Sequence, residues 1–510
     1  MLARLGGNFA AQIFGIFLSF ADRFLVVGLL LRTLGTDPYA DWVLLLSSAG
    51  LLSLAELGLN IYYGNIWQSA FAKGDEPRFQ RMLGFALTCS GLLGLALLLF
   101  CLGLVSFIDF SQTLSLTGLT RGAAAAIFLL LGAATASRSM RGAVSQLYRG
   151  RLVFAVGTMI DQIFPASLVV AMLITVNLTH SLVTLAAVYL ACDLVAGWGA
   201  MLFDLKRRFP NLHFRPNLPN RTEFLDLVHH VRWFAVQQGA PVLWLQAPVL
   251  ILGWLGVAGP TLVSFLILRT LVNFARQLAS MLSISAGVEL ASSYHSGKHE
   301  EFLRRLGTFG SSLSGIGGAI AVAITIFGAP FIAIWTGQES LYDTHILVWL
   351  LGTALISAPI LPMASAMMLC NLPKPAALAN LIQIGIGIPA IFIFVRMWGA
   401  MGAAMGLALG ETVAFGIVFP IFATKALEFS YTRYIGRCLA TMAICSLWCG
   451  LVGFGLKWAI NPIHLGSFFV TGALWSVLGL IPALFITLPA AQQRTLLGAG
   501  LRLRARLFHR

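Results

Sequence analysis

The sequence predicts an all-α integral membrane protein with about 14 transmembrane helices. Of its 510 residues, 58% are hydrophobic and only 10% are charged, and the mean hydropathy is +0.87. Apolar runs of about 20 residues, the length needed to cross a bilayer, recur along the whole chain. Because a water-soluble fold of this length carries more charge, we expect a polytopic membrane protein.

Fourteen spans follow from the apolar runs and the polar, Gly or Pro residues that bound them. They are predicted at 9–33, 39–66, 82–107, 121–140, 153–177, 182–204, 229–255, 260–287, 306–335, 345–370, 375–397, 399–424, 434–459 and 467–489. The first is expected to be retained, because no small-residue cleavage site follows the basic start. The outer loops are short and leave no room for a catalytic domain, so we predict that the chain is not an enzyme.

The net charge of +14 is distributed unevenly among the loops. With the N-terminus inside, 25 of the 33 Lys and Arg residues fall in inner loops and tails, and only four fall in outer loops. This bias predicts that both termini are cytoplasmic. Since the basic residues lie in short loops between spans, their charge indicates orientation rather than nucleic-acid binding. The seven cysteines lack metal-ligand spacing and predict neither a metal site nor disulfides.

Matches at a nearly constant offset indicate an internal duplication, with coincidence in a biased composition as the alternative. The pairs at an offset of 223 are Gly74 and Gly297, Phe79 and Phe302, Arg81 and Arg304, and Leu83 and Leu306. We predict two pseudo-symmetric six-helix lobes that share one orientation. The predicted division is an N-lobe at 1–205, a basic cytoplasmic linker at 206–228, a C-lobe at 229–425, two C-terminal helices at 426–490 and a basic cytoplasmic tail at 491–510.

The eighth span carries two arginines on one helical face. Arg269 and Arg276 are seven residues apart, and Asn273 lies on the same face between them. An arginine at mid-membrane costs roughly 2.5 to 3.5 kcal/mol on insertion scales, so such a stripe usually lines a protein interior, a water-filled cavity or a transport path. We therefore predict that Arg269, Asn273 and Arg276 face water or an anionic group.

Charges also occur in the first and second predicted spans. Asp22 and Arg23 are adjacent, and form either a neutralised pair that packs the bundle or a charged site in a cavity. Glu56 in the second span lies at a depth comparable to that of Arg276. The two are predicted to pair across the lobes as a cytoplasmic-side gate.

Three further carboxylates, Asp161, Asp193 and Glu411, lie near the middle of the fifth, sixth and twelfth spans. Intramembrane carboxylates suit coupling to protons or sodium. Capping of a buried hydroxyl, or pairing with an arginine, is an equal expectation for each residue taken alone.

Four segments carry a resemblance to a known family: Leu31–Trp42, Glu56–Leu59, Lys73–Asp75 and Trp398–Glu411. They resemble the polysaccharide-flippase branch of the multidrug/oligosaccharidyl-lipid/polysaccharide exporter superfamily. The resemblance implies two lobes around a central cavity that opens alternately to either side of a bacterial inner membrane. It also implies transfer of undecaprenyl-pyrophosphate-linked oligosaccharide repeat units to the periplasmic leaflet for polysaccharide export.

Under this resemblance the partners are the lipid-linked oligosaccharide, membrane lipids and polysaccharide polymerase or export machinery. No cofactor is expected besides a coupling proton or sodium ion, and Arg23, Arg269 and Arg276 supply the cations that bind the pyrophosphate. The related peptidoglycan-precursor flippases carry arginines on the first, second and eighth spans, whereas this chain has Glu56 on the second. That flippase type and a cation-coupled small-molecule or drug exporter are the alternatives; a membrane glycosyltransferase would need catalytic residues in an outer loop.

Overall fold

The computed structural model describes residues 15, 17–56, 58–217, 220–370, 372 and 374–487. Across these ranges the secondary structure is helical, without a β-strand. Eleven of the described helices are long and apolar enough to cross a membrane. The predicted all-α membrane fold is thereby confirmed. The predicted first span begins at residue 9, and its part before Phe17, apart from Gly15, lies outside the described residues. The predicted tail at 491–510 also lies outside them.

Contacts between residues divide the chain into two compact units, Met1–Val263 and Ser264–Arg510. The long helix Arg221–Trp254, predicted as the first span of the C-lobe, packs with helices of the first unit. The predicted lobe and linker boundaries rest on the sequence pattern and stay predictions.

The first unit is built from helices around an aromatic core. Its elements are a π-helical segment Ala21–Val26, α1 Val27–Leu34, α2 Thr36–Gly50, a 3₁₀ turn Leu51–Glu56, α3 Leu59–Ala72, α4 Glu76–Phe107, α5 Phe110–Thr113, α6 Arg121–Gly150, α7 Phe154–Asp161, α8 Ile163–Leu178, α9 Leu182–Ala191, a π-helical segment Cys192–Gly197, α10 Trp198–Arg208 and α11 Arg221–Trp254. Tyr63, Trp67, Phe79, Phe85 and Tyr148 are buried together where α3, α4 and α6 meet.

The second unit continues from α12, Gly259–His295, which begins just before the division between the units. Its other elements are α13 His299–Thr336, a 3₁₀ turn Glu339–Leu341, α14 Thr344–Leu369, α15 Lys374–Glu411, a π-helical segment Thr412–Val418, α16 Phe419–Leu427, α17 Tyr431–Ile460, α18 Leu465–Trp475, a π-helical segment Ser476–Leu480 and α19 Ile481–Thr487. One core surrounds Phe302 and Phe419, and another surrounds Trp475.

A sharp break divides α15 into two halves that pack against each other in antiparallel directions. Trp398 and Gly399 leave the helical region, and Gly399 has a φ of 55°. A Cβ on Gly402 would lie 2.0 Å from the carbonyl oxygen of Phe394, so the halves approach at their backbones. The break confirms the predicted boundary between the spans 375–397 and 399–424.

The second predicted span is not one continuous helix, which corrects the prediction of 39–66. The α-helix α2 ends at Gly50, the chain tightens into the 3₁₀ turn ending at Glu56, and α3 begins after Gly58. Gly58 has a φ of 78°, a left-handed conformation that glycine adopts without a steric penalty. The hydropathy pattern is continuous through this region, so the apolar run by itself gave no sign of the break.

The two turns matched in the sequence have the same local structure. Gly74 has a φ of 68° and Gly297 a φ of 69°, and α4 and α13 begin 223 residues apart. In both turns the glycine N–H donates to the carbonyl three residues earlier, and Phe79 and Phe302 are each fully buried. The two matched turns therefore share their backbone hydrogen bonds as well as their residue types, and the duplication of a whole six-helix unit stays a prediction.

Candidate functional site

A polar cavity lies beside the broken second span. Irregular backbone at membrane depth is tolerated where it is buried in protein or lines a water-filled cavity. The cavity has a volume of about 220 Å³ and is lined by Ser53, Leu54, Glu56, Gly58, Asn60, Gln238, Gly239 and Val242. A carboxylate, two amides and a hydroxyl are thus available in one enclosure within the first unit.

Glu56 is held in place from two sides. Ser139 donates from Oγ to Oε1 over 2.6 Å, and Asn60 donates from Nδ2 to Oε2 over 3.0 Å. Both carboxylate oxygens are satisfied within the first unit while the side chain stays half-buried at the cavity. Arg276 belongs to the second unit, and the predicted gate between these two residues stays a prediction.

Asp161 and Asp193 are brought together by an arginine that sequence reasoning missed. Arg141 lies on α6 and is 6% exposed. Its Nη2 is 2.9 Å from Oδ1 of Asp193, and its Nη1 is 3.5 Å from Oδ1 of Asp161. The apolar run ends near residue 140 and predicts that Arg141 lies in an inner loop, but the helix continues to Gly150. This cluster is the strongest concentration of buried charge in the described part of the first unit.

Hydroxyl groups complete this cluster, which we call the Arg141 cluster: Arg141, Asp161 and Asp193. Ser137 donates to Oδ2 of Asp193 over 2.5 Å, and Ser145 donates to Oδ2 of Asp161 over 2.8 Å. Asp193 is fully buried, whereas the side chain of Asp161 is 35% exposed. The two carboxylates therefore differ in their access to water although they share one cation.

Arg276 and Glu411 form the corresponding pair in the second unit. Nη2 of Arg276 is 2.6 Å from Oε1 of Glu411, and Gln383 donates to Oε2 over 2.6 Å. Glu411 is 1% exposed, but the side chain of Arg276 is 27% exposed and lines a narrow cavity of about 20 Å³ with residues such as Val272. Arg276 thus has a carboxylate partner within its own unit and one side open to the cavity.

The remaining predicted residues occupy different environments. Arg269 is 7% exposed, and its guanidinium carbon lies 5.7 Å from the ring centre of Phe265. Asn273, one turn further along α12, is half-buried. Asp22 is exposed and Arg23 is half-buried, and both lie in the π-helical segment Ala21–Val26.

Three of the four described π-helical segments coincide with predicted intramembrane charges. One carries Asp22 and Arg23, the second carries Asp193, and the third begins directly after Glu411. Such segments are rare and occur frequently at functional sites. They support the choice of these residues as candidates, although no sequence pattern indicated the change of helix type.

Neither a family model nor a curated protein sequence matches the chain. Similarity appears in solved structures. The lipid II flippase MurJ in an inward closed conformation matches with a TM-score of 0.68 at 12% identity, over 94% of this chain and 98% of MurJ. An inward-facing multidrug resistance MATE family transporter of the MOP superfamily matches with a TM-score of 0.65 at 14% identity, over 80% of this chain and 94% of that protein.

A MOP superfamily transporter from Pyrococcus furiosus, described as having a binding pocket of reverse polarity, also matches, with a TM-score of 0.57 at 14% identity over 84% of this chain and 96% of that protein. At these identities a structural likeness shows the fold. The chain therefore has the fold of the lipid II flippase MurJ and of the MATE family transporters.

Proposed function

We propose that this protein is a flippase that moves undecaprenyl-pyrophosphate-linked oligosaccharide repeat units from the cytoplasmic to the periplasmic leaflet of a bacterial inner membrane. The observation that carries the proposal is the Arg276–Glu411 pair, a guanidinium at membrane depth that is paired with one buried carboxylate while its side chain stays 27% exposed. The likeness in fold to a lipid II flippase over 94% of the chain is consistent with a lipid-linked substrate.

The charge of a pyrophosphate explains why arginines are needed. A phosphate oxyanion accepts two parallel hydrogen bonds from a guanidinium, and these bonds are stronger than those between neutral groups. Arg276 already holds one carboxylate, so an arriving pyrophosphate competes with Glu411 for it. Arg269 lies two turns away on the same helix and adds positive charge.

The Glu56 cavity suits the glycan part of such a substrate. Sugar hydroxyls both donate and accept hydrogen bonds, and the lining offers the carboxylate of Glu56, the amides of Asn60 and Gln238, and the hydroxyl of Ser53. In this proposal Arg269, Asn273, Arg276 and Arg23 act on the pyrophosphate. Asp161, Asp193 and Glu411 are the candidates for coupling to a proton or sodium gradient.

The test is a flip assay with purified protein in liposomes. The substrates are an undecaprenyl-pyrophosphate-linked oligosaccharide and lipid II, each measured with and without a proton or sodium gradient. We expect Arg276→Gln and Arg269→Gln to slow transfer of the oligosaccharide lipid by about ten- to a hundredfold, since a hydrogen bond to a charged group contributes about 1.5 to 3 kcal/mol.

The matched control is Arg304→Gln, which removes an exposed arginine at the start of α13. It should leave the transfer rate unchanged. Transfer that proceeds equally well in the Arg276→Gln protein and in the native protein contradicts the proposal. Transfer of lipid II alone assigns the chain to the peptidoglycan-precursor alternative.

A cation-coupled small-molecule exporter is the second candidate. It is favoured by the likeness in fold to a multidrug resistance MATE transporter and by the buried carboxylate of Asp193 in the Arg141 cluster. In cells, Arg269→Ala that abolishes polysaccharide export while leaving drug resistance unaltered supports the flippase. The opposite pair of results supports the exporter.

A further inference from the structure

The chain that follows α10 is docked against the first turns of α4. The side-chain amide of Gln80 donates to the carbonyl oxygen of His213 and accepts from its N–H over 3.2 Å. Further along, the N–H of Asn217 donates to the carbonyl oxygen of Gly84 over 3.1 Å. A Cβ on Gly84 would lie 2.5 Å from the carbonyl oxygen of Arg215, so this close approach requires glycine. The sequence predicts this segment as the start of an interlobe linker. These hydrogen bonds hold it against α4 of the first unit.

The docked segment borders an open pocket of about 570 Å³, which we call the linker pocket. It lies where the start of α4, the end of α6 and the end of α10 meet, and shares no residue with the Glu56 cavity. The lining residues that carry polar side chains are Glu76, Gln80, Arg151, Arg208, Asn211 and His213.

Arg151 is a cation held in a fixed position at this pocket. Its guanidinium carbon lies 4.2 Å from the ring centre of Phe79 and 5.2 Å from that of Phe71. The side chain is 17% exposed, and its buried Nε has no hydrogen-bond partner among the described residues. Its ion-pair partner Glu76 is 55% exposed. Glu76 is thus the exposed member of the pair, and another anion that replaced it at Arg151 would return its carboxylate to water.

The surroundings of the linker pocket are strongly basic. Arg208 lines the pocket and is paired with Asp204 through two hydrogen bonds of 3.1 Å. From residue 205 to 222 the sequence has five basic residues and no acidic one. Such a concentration of positive charge raises the local concentration of anions.

We propose that the linker pocket binds a phosphate-bearing anion, with Arg151 as the fixed cation and His213 and Arg208 around it. The phosphate comes either from the headgroup of an anionic phospholipid or from a soluble phosphate compound. The sequence places this end of the helices on the cytoplasmic side, where polybasic segments attract anionic lipids. A bound anion joins the end of α6 to the docked segment and so restrains the chain that leads to α11. This binding is independent of the transported substrate.

The test uses the full-length protein in phosphatidylcholine nanodiscs. Dihexanoyl phosphatidylglycerol, dihexanoyl phosphatidylcholine and inorganic phosphate are titrated separately, and the rise in melting temperature gives an apparent affinity for each. We expect phosphatidylglycerol to raise the melting temperature of the native protein, and Arg151→Gln to weaken this binding by about tenfold. Arg304→Gln, the exposed control, should bind as the native protein does.

Two further variants keep the test decisive if Arg151→Gln does not fold. Glu76→Gln removes the competing carboxylate and is expected to bind more tightly, and His213→Ala is expected to bind more weakly. Binding of both phosphatidylglycerol and inorganic phosphate identifies the phosphate group as the ligand, and binding of phosphatidylglycerol alone identifies the lipid headgroup. The proposal is overturned if neither anion binds, if phosphatidylcholine binds equally well, or if the Arg151 and Glu76 variants bind as the native protein does.

Discussion

Arg276 and Glu411 lie 135 residues apart in the sequence and are joined over 2.6 Å between Nη2 and Oε1. Glu411 is almost fully buried, and its second oxygen accepts a hydrogen bond from Gln383. The pair therefore connects α12 to the second half of α15, and Gln383 connects Glu411 to the first half. Removal of one member leaves a charge or a donor without its partner in the interior of the second unit.

Glu411→Ala is predicted to lower the free energy of unfolding by about 3 to 5 kcal/mol, because it leaves the guanidinium of Arg276 uncompensated. The double variant Arg276→Met with Glu411→Gln should recover much of this loss, since it removes the charge and retains a partner for Gln383. Chemical unfolding in detergent of the single variants Arg276→Met and Glu411→Gln, and of the double variant that combines them, measures the coupling. A double variant whose loss equals the sum of the two single losses would show that the pair is not coupled.

Asp193→Ala is predicted to destabilise the protein more than Asp161→Ala, although both residues pair with Arg141. Asp193 is fully buried at 2.9 Å, whereas Asp161 is 35% exposed at 3.5 Å. We expect losses of about 3 kcal/mol for the first and about 1 kcal/mol for the second. Unfolding of the two variants under one condition gives the comparison, and equal losses would contradict the difference in environment.

The duplicated turns show what a sequence pattern can predict. The matched glycines, Gly74 and Gly297, both adopt a positive φ, and the phenylalanines five residues later are both buried. A positive φ favours glycine, and burial favours a large apolar side chain. Both features can therefore be predicted from the residue types. The break between the eleventh and twelfth spans is predictable for the same reason, because Gly399 interrupts the apolar pattern.

The candidate site was less predictable, because its partners are set by packing between distant helices. Asp193 and Arg141 are separated by 52 residues, and nothing in their spacing indicates contact. The pattern predicts a loop at Arg141, because hydropathy falls before the helix ends. The candidate role of Glu56 depends on the left-handed conformation of Gly58. The continuous apolar run around Gly58 does not predict this conformation.

Gly402→Ala is predicted to destabilise the second unit strongly. A Cβ at this position would lie 2.0 Å from the carbonyl oxygen of Phe394, a backbone atom that cannot rotate away. Overpacking of this kind costs about 1 to 3 kcal/mol, or more where backbone must move. Gly385→Ala is the matched control, because no atom lies within 4 Å of its added Cβ. The melting temperature of Gly385→Ala should equal or exceed that of the native protein, while that of Gly402→Ala falls.

Gly58→Ala is predicted to lower stability by about 1 to 2 kcal/mol, because an L-residue in the left-handed region brings its Cβ close to the following carbonyl. Gly58→Asn should lose less, since asparagine tolerates this conformation. The variant also tests the cavity: if the break at Gly58 positions Glu56 for substrate, Gly58→Asn should retain more of the flip rate than Gly58→Ala. Gly91→Ala, on α4 with no atom within 4 Å of its added Cβ, serves as the control. Equal melting temperatures and flip rates for the two Gly58 variants would show that the left-handed turn does not determine the geometry of the Glu56 cavity.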